Sequence, residues 1–340
     1  MLACDAVSLT LERAMQPPIK PTLLVTRRLP PNVMARARRD YALVGPEPEE
    51  LPWPREVLTA ALALARPEAV LCAPGDTFDA ETVAALPAST RILASFSAGV
   101  DHIDLDAAKQ RGLVVTNTPD VLVEATAELT LALILAAARR MGEGERLVRS
   151  GGWRGWTPTQ LLGLRVSGKR LGILGMGRIG RALARMARGL VMEVHYHNRR
   201  RLDPALEEGA IFHATGEAML GAIDILALTA PGSEALRHWL SAERIALLPR
   251  GAIVVNTGRG SLVDDAALIA ALRSGQVAYA GLDVYEGEPA LHRGYIELSN
   301  VVLLPHLGSA TAETRDAMGF RALDNVDAVF AGRTPPDRVV

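Results

Sequence analysis

Apolar and polar positions along this chain fall into two repeating series. In the first, short apolar runs alternate with segments of helical spacing: "TLLVT" from Thr22, "AVLCA" over 69–73, "RILAS" over 91–95 and "LVVTN" over 113–117. Such runs, bounded by turn residues, predict strands buried on both faces, as in parallel sheets. The second series repeats the pattern with "RLGILG" (170–175), "VMEVHYH" (191–197), "DILALTA" (224–230), "AIVVN" (252–256), "YAGLDV" (279–284) and "VVLLP" (301–305). Strand alternating with helix predicts the α/β class. The expected architecture is two doubly wound parallel-sheet domains, Rossmann-like or flavodoxin-like.

Between the series lies "NTPDVLVEATAELTLALILAAARRM". Thr118 as a cap, Pro119 in the first turn and Asp120 at the positive end predict one helix running to about Arg149. "GGWRGWTP" (151–158) interrupts the pattern, and a last helix is predicted from Thr311 to about Ala331. A chain often ends in the domain where it began. The expected division is therefore 21–118 with 309–340 as one domain and 119–308 inserted into it, after an N-terminal extension over 1–20.

Composition narrows the class. A chain of 340 residues suggests two domains, and 49% hydrophobic residues suffice for sizeable cores. A formal net charge of -1 argues against nucleic acid as a partner. "LALILAAA" is too short to span a bilayer, and Asp5 and Glu12 spoil a secretory start, so no membrane partner is expected. Two cysteines, Cys4 and Cys72, predict neither a disulfide framework nor a metal site; a cytoplasmic setting is expected.

Candidate chemistry begins at Gly175-x-Gly177-x-x-Gly180, between a predicted strand and an amphipathic helix. Gly175 would permit the turn, Gly177 would admit a pyrophosphate, and Gly180 would let helix and strand pack closely. The helix N-terminus would offer N–H groups and a positive dipole to the phosphates. Met176, Arg178 and Ile179 within the turn, and Thr257 after "AIVVN", are further coenzyme positions. An NAD site usually carries Asp or Glu about twenty residues on. Here Asn198 is followed by Arg199, Arg200 and Arg201, and guanidinium groups suit a 2′-phosphate. NADP(H) is the preferred coenzyme. The other reading, in which Arg200 and Arg201 face water and Asn198 serves NAD(H), stays open.

Arg259, Asp283 with Glu286 and Glu288, and His306 each follow a predicted strand. Singly they have dull readings: a salt bridge, turn carboxylates, a core histidine. Together, where ligands bind open α/β sheets, they favour chemistry. His195 and His197 share a strand face without a third ligand and are read as structural; no metal is expected.

"SAGVDHIDL", "VTNTPDV", "GILGMGRIG", "VVNTGRGSLVD", "GLDVYEGEP" and "PHLGSAT" resemble, in order and spacing, the D-isomer-specific 2-hydroxyacid dehydrogenase family over nearly the whole chain from residue 21. The resemblance implies that Arg259 binds the 2-oxo acid, Glu288 orients the histidine and His306 is the general acid/base. It implies that Ala98, Gly99 and Val100 present amides to the substrate carboxylate, and that Asp283 faces the nicotinamide carboxamide. It also implies a homodimer, with Trp156 reaching the neighbour's substrate pocket or serving only in dimer packing. Pocket walls are expected near residues 45–55 and 74–78. "HNRRR" and the Trp-containing arm look most like NADPH-dependent glyoxylate/hydroxypyruvate and 2-ketogluconate reductases. The remaining alternatives are an NAD-dependent D-2-hydroxyacid dehydrogenase of other substrate range and a dinucleotide-sensing corepressor. Leu236 departs from the family, which often has Thr there.

Overall fold

The computed structural model describes residues 20–45 and 51–340. The expected extension, with Cys4, lies outside the described residues except for Lys20, as does part of the 45–55 wall. The chain forms two compact units, one ending at Thr118 and resuming at Asp316, the other spanning Pro119–Arg315. The return falls after Arg315 rather than after Gly308. The first turn of the last helix, Ala312–Phe330, stays with the second unit, where Arg315 Nε donates to the Ser309 carbonyl at 3.3 Å.

The first unit carries a five-stranded sheet in the order β2-β1-β3-β4-β5. Its strands are β1 (Thr22–Val25), β2 (Ala42–Val44), β3 (Ala69–Cys72), β4 (Ile92–Ser95) and β5 (Val114–Thr116), all parallel. β3 and β4 are buried along their whole length, which is why their sequences read as unbroken apolar runs. β2, an edge strand of three residues with exposed ends, gave no such signal. Leu24, Leu62, Val70, Phe78, Leu93 and Val115 fill one face of the sheet. The C-terminal residues return along β5, with Thr116 bridging Arg338 in antiparallel fashion.

The second unit has seven strands in the order β12-β11-β10-β9-β6-β7-β8. These are β6 (Arg170–Leu174), β7 (Glu193–His197), β8 (Ile211–Phe212), β9 (Ile225–Leu228), β10 (Ala252–Asn256), β11 (Val277–Leu282) and β12 (Val301–Leu303). Strand order reverses direction at β6, which pairs with both β7 and β9. Loops leaving the carboxyl ends there open onto the crevice where such sheets bind ligands. β8, two residues at the edge, escapes sequence reading for the same reason as β2.

The single helix predicted from Thr118 to Arg149 is two helices, Val123–Ala138 and Met141–Arg149. Thr118 does not cap it: its N–H donates to the Ser97 carbonyl at 2.8 Å and its hydroxyl is buried without a partner. The break falls at Arg140, in the left-handed region (φ 53°), whose guanidinium pairs with Glu143 at 2.5 Å. The first helix buries Thr126, Leu133 and Ile134. Full burial of the Leu133 and Ile134 side chains contributes about 1.5–3 kcal/mol each.

Candidate active site

The glycine turn follows β6. Gly175 has φ +95°, and a Cβ there would lie 2.6 Å from the Ala230 backbone. Gly180 is in the first turn of the helix Arg178–Gly189, and a Cβ on it would meet the Gly175 carbonyl oxygen at 2.6 Å. Gly177 differs: a Cβ there would meet nothing within 4 Å. The chain thus has one open face over the turn, a glycine at 175 that admits the Ala230 backbone, and one at 180 that lets the helix close on the turn and β6. The Gly175 N–H donates to the His197 carbonyl, Gly177 to the Gly175 carbonyl, and Met176 to Asn198 Oδ1 at 2.7 Å. The N–H groups of the helix's first residues, Arg178 to Gly180, are those a helix start leaves without intrahelical partners. An open backbone face beside them, at the positive end of a helix, fits a pyrophosphate. Ile179 is half-buried, and the exposed Arg178 side chain pairs with Asp120 at 2.7 Å.

Asn198 is committed to that turn: its Oδ1 accepts from Met176, and its Nδ2 lies 3.5 Å from the Met176 carbonyl. The three arginines behind it differ. Arg201 donates to both carboxylate oxygens of Glu207 at 2.8 and 3.0 Å and lies over the Phe212 ring. Tyr196 Oη also donates to Glu207, at 2.5 Å. The Arg201 and Tyr196 hydrogen bonds hold the Glu207 carboxyl at about 2. Arg201 is therefore part of the fold, whereas Arg199 and Arg200 are exposed and form no ion pair among the described residues.

Arg259 follows β10. The Asn256 side chain fastens this turn at two points, donating to the Arg259 carbonyl (2.9 Å) and accepting from the Gly258 N–H (3.0 Å). The flanking glycines do more than clear space for the guanidinium. A Cβ on Gly258 would lie 2.6 Å from the Ala230 carbonyl oxygen, and one on Gly260 would lie 1.8 Å from the Tyr285 backbone. The Arg259 side chain is half-buried and donates to the Gly258 carbonyl at 2.8 Å.

Glu288 and His306 meet, with Oε2 of Glu288 2.8 Å from Nδ1 of His306. The other Glu288 oxygen accepts from the Tyr285 N–H at 2.9 Å. Burial pushes the Glu288 carboxyl up. The His306 hydrogen bond and charge, the Tyr285 amide and Arg259 outweigh this and hold it below its ordinary range. An ionised carboxylate only accepts, so Nδ1 is the donor and Nε2 is left for a reacting group. A largely apolar hollow of about 320 Å³ lies beside the pair, lined by Tyr285, Leu291, Leu303 and Pro305 among others.

His306 sits in the left-handed region at φ 56°, a conformation that a non-glycine residue keeps only when its surroundings fix it. Asp283 does the fixing. Its carbonyl accepts the His306 N–H at 2.9 Å, and its carboxylate oxygens accept the N–H groups of Leu307 (2.7 Å) and Gly308 (2.9 Å). The side chain is buried, and burial raises its carboxyl against the pull of those amides and of His306. The structure thus gives Asp283 the task of holding the His306 loop. Thr257 likewise turns inward, its hydroxyl 2.7 Å from that of Thr130. Neither Asn256 nor this use of Asp283 was foreseen, although a polar residue closing a wholly apolar strand was a usable signal.

In the first unit, Ala98, Gly99 and Val100 form a half-buried loop after β4. Asn117 Nδ2 donates to the Ala98 carbonyl at 2.7 Å, and Gly99 N–H reaches Ser97 Oγ at 3.2 Å. Trp156 stands apart, 79% exposed on the arm between Arg149 and β6, as does Trp153. Leu236 lies in a single 3-10 turn, partly buried against the second unit's core. His195 is buried between Glu193 (2.6 Å) and His213 (2.8 Å), and no metal-binding cluster occurs among the described residues. Among them, too, no helix is long and apolar enough to cross a membrane.

A parallel sheet with a glycine turn at its point of reversal, and an Arg and a Glu–His pair at neighbouring strand ends, defines a dinucleotide-dependent oxidoreductase. A family profile described as D-isomer specific 2-hydroxyacid dehydrogenase, NAD binding domain, matches residues 131–308. The chain is 39% identical over 315 residues to glycerate dehydrogenase of Hyphomicrobium methylovorum, covering 92% of this chain and 97% of that one. It is 39% identical over 325 residues to glyoxylate reductase of Thermococcus litoralis, covering 94% and 97%. Among solved structures, NADPH-dependent glyoxylate/hydroxypyruvate reductase of Sinorhizobium meliloti, in complex with NADP and malonate, matches with a TM-score of 0.83 at 34% identity, covering 94% of this chain and 97% of that one. The protein belongs to the D-isomer specific 2-hydroxyacid dehydrogenase family.

Proposed function

We propose that the protein reduces a small 2-oxo acid, glyoxylate or hydroxypyruvate first and 2-ketogluconate next, to the D-2-hydroxy acid with NADPH. The observation that carries this reading is the Glu288–His306 pair at 2.8 Å, beside a turn that bears Arg259. The glyoxylate reductase and glycerate dehydrogenase relatives support the substrate class. The exposed Arg199 and Arg200 support the choice of coenzyme, as does the NADP-bound relative.

When bound, reduced nicotinamide supplies a hydride to the keto carbon. His306, protonated and steadied at Nδ1 by Glu288, gives the proton on Nε2 to the keto oxygen. The Arg259 fork holds the substrate and stabilises negative charge growing on that oxygen. Amides of residues 98–100 take the substrate carboxylate. In the reverse direction, His306 accepts the alcohol proton. Gly177 and the amides of Arg178 to Gly180 would hold the pyrophosphate, and Arg199 and Arg200 would hold the 2′-phosphate. A homodimer built on the arm that exposes Trp153 and Trp156 completes the proposal.

The test is loss of NADPH absorbance with glyoxylate, hydroxypyruvate and 2-ketogluconate. Turnover with at least one is expected, and His306→Gln lowers it by about 10²–10⁴-fold while leaving NADPH affinity unchanged. No turnover with any of the three, or full turnover in His306→Gln, overturns the reading.

A further inference from the structure

The loop at 98–100 is shaped from behind. A trans peptide points its N–H opposite to its C=O, so fixing a carbonyl aims the following amide. Two successive carbonyls here are fixed by two successive residues. Ser97 O accepts the Thr118 N–H at 2.8 Å, and Ala98 O accepts Asn117 Nδ2 at 2.7 Å. The amide of Ala98 therefore projects to the opposite side, and that of Gly99 is turned away from Asn117, within 3.2 Å of Ser97 Oγ, as in the backbone concavities that bind anions.

Asn117 is itself gripped at both of its peptide groups. Its N–H donates to the Asp337 carbonyl at 3.3 Å, and its carbonyl accepts from Asn325 Nδ2 at 3.4 Å. Asn325 Nδ2 also donates to the Asp337 carboxylate at 2.9 Å, and the Asp337 N–H returns to Asn325 Oδ1 at 3.2 Å. Arg321 donates to both Asp337 oxygens, at 2.5 and 2.8 Å. Asn325 and Asp337 are buried, and a buried polar network is tolerated only when its members are satisfied. The tail is tied to β5 by Val339 N–H to Val115 O at 2.8 Å.

We propose that Asn117 is a positioning residue for 2-oxo acid binding, and that the C-terminal segment, through Asp337 and Asn325, sets its position. This rests on the reading that residues 98–100 take the substrate carboxylate.

The experiment compares Asn117→Asp, nearly isosteric but unable to donate, with Asn117→Ser, too short to reach Ala98. Steady-state constants for glyoxylate, inhibition by oxalate, NADPH affinity by fluorescence and melting temperature are measured. The KM for glyoxylate and the Ki for oxalate are expected to rise about tenfold in Asn117→Ser. The rise in Asn117→Asp is larger, because a carboxylate faces the Ala98 carbonyl. Asp337→Asn gives a smaller rise, and kcat and NADPH affinity stay within about twofold throughout.

Unchanged KM and Ki in either Asn117 variant, with wild-type melting and NADPH binding, overturns the proposal. So does a fall in NADPH affinity equal to the rise in KM, which marks general damage. Wild-type enzyme assayed with glyoxylate and with its amide separates the two levels. If it prefers the acid while the Asn117 variants are unaltered, only the positioning role fails. If it treats acid and amide alike, the carboxylate reading fails and takes this proposal with it.

Discussion

Replacing Glu288 with Gln removes one charge and little else. The Gln carbonyl can still accept the Tyr285 N–H now held at 2.9 Å, so the local turn is retained. Its amide then faces His306 Nδ1 across the present 2.8 Å and offers a donor where the imidazolium needs an acceptor. A hydrogen bond to a charged group contributes about 1.5–3 kcal/mol. The side chains of Glu288 and His306 are 36% and 43% exposed, so solvent screening reduces this to about 1–1.5 kcal/mol. That corresponds to about fivefold to tenfold in the strength with which the pair holds the imidazole in its donating orientation. The carboxyl of Glu288 is held below its ordinary range, so the pair persists through neutral pH and is lost only as pH falls through that depressed value. The assay is kcat/KM for glyoxylate reduction as a function of pH. In Glu288→Gln, kcat/KM should fall about fivefold to tenfold at neutral pH, with NADPH affinity unchanged. A profile superimposable on the wild type would refute the argument, since His306 would then work without the carboxylate.

Arg199→Ala should raise the KM for NADPH about tenfold and leave NADH nearly unaffected; equal changes for both coenzymes would remove the 2′-phosphate contact. Glu207→Gln should lower the melting temperature at neutral pH. The Glu207 carboxyl falls from an ordinary 4.5 to about 2 in the fold, so its contribution is complete above about 4.5 and is lost as pH drops through 2. Melting curves of variant and wild type should therefore converge toward pH 2. Gly180→Ala places a methyl 2.6 Å from the Gly175 carbonyl oxygen, and should weaken dinucleotide binding and thermal stability together, read by fluorescence titration and calorimetry.

Strands buried on both faces were the most legible part of the chain. β10 is apolar from Ala252 to Val255 and buried throughout, and its bounds match the sequence reading. What escaped was decided by contacts distant in sequence. Nothing near Arg140 announces the break that its left-handed backbone makes, because a Glu143 partner three residues on suits a continuous helix equally well. Thr118 has good capping chemistry, but its N–H is taken by Ser97, so the helix starts at Val123. In the candidate site, the Glu288–His306 pair and the turn that bears Arg259 were legible because each follows a strand that reads clearly in the sequence. The tasks of Asp283 and Thr257 were not, since a buried carboxylate or hydroxyl is defined by the amides and hydroxyls that fold onto it. The arginine run shows the same limit: sequence offers three equal cations, and the Glu207 and Phe212 contacts separate Arg201 from its neighbours.

The tie between Asn198 Oδ1 and the Met176 N–H narrows the choice of residue at that position. Any replacement that keeps the turn must present an acceptor oxygen at the same reach, which leaves the amide and its corresponding acid. Those two differ by a single atom and one negative charge, so exchanging them would add that charge at the end of β7, keep the acceptor that the Met176 N–H uses, and set a second oxygen toward the Met176 carbonyl where Nδ2 now lies at 3.5 Å.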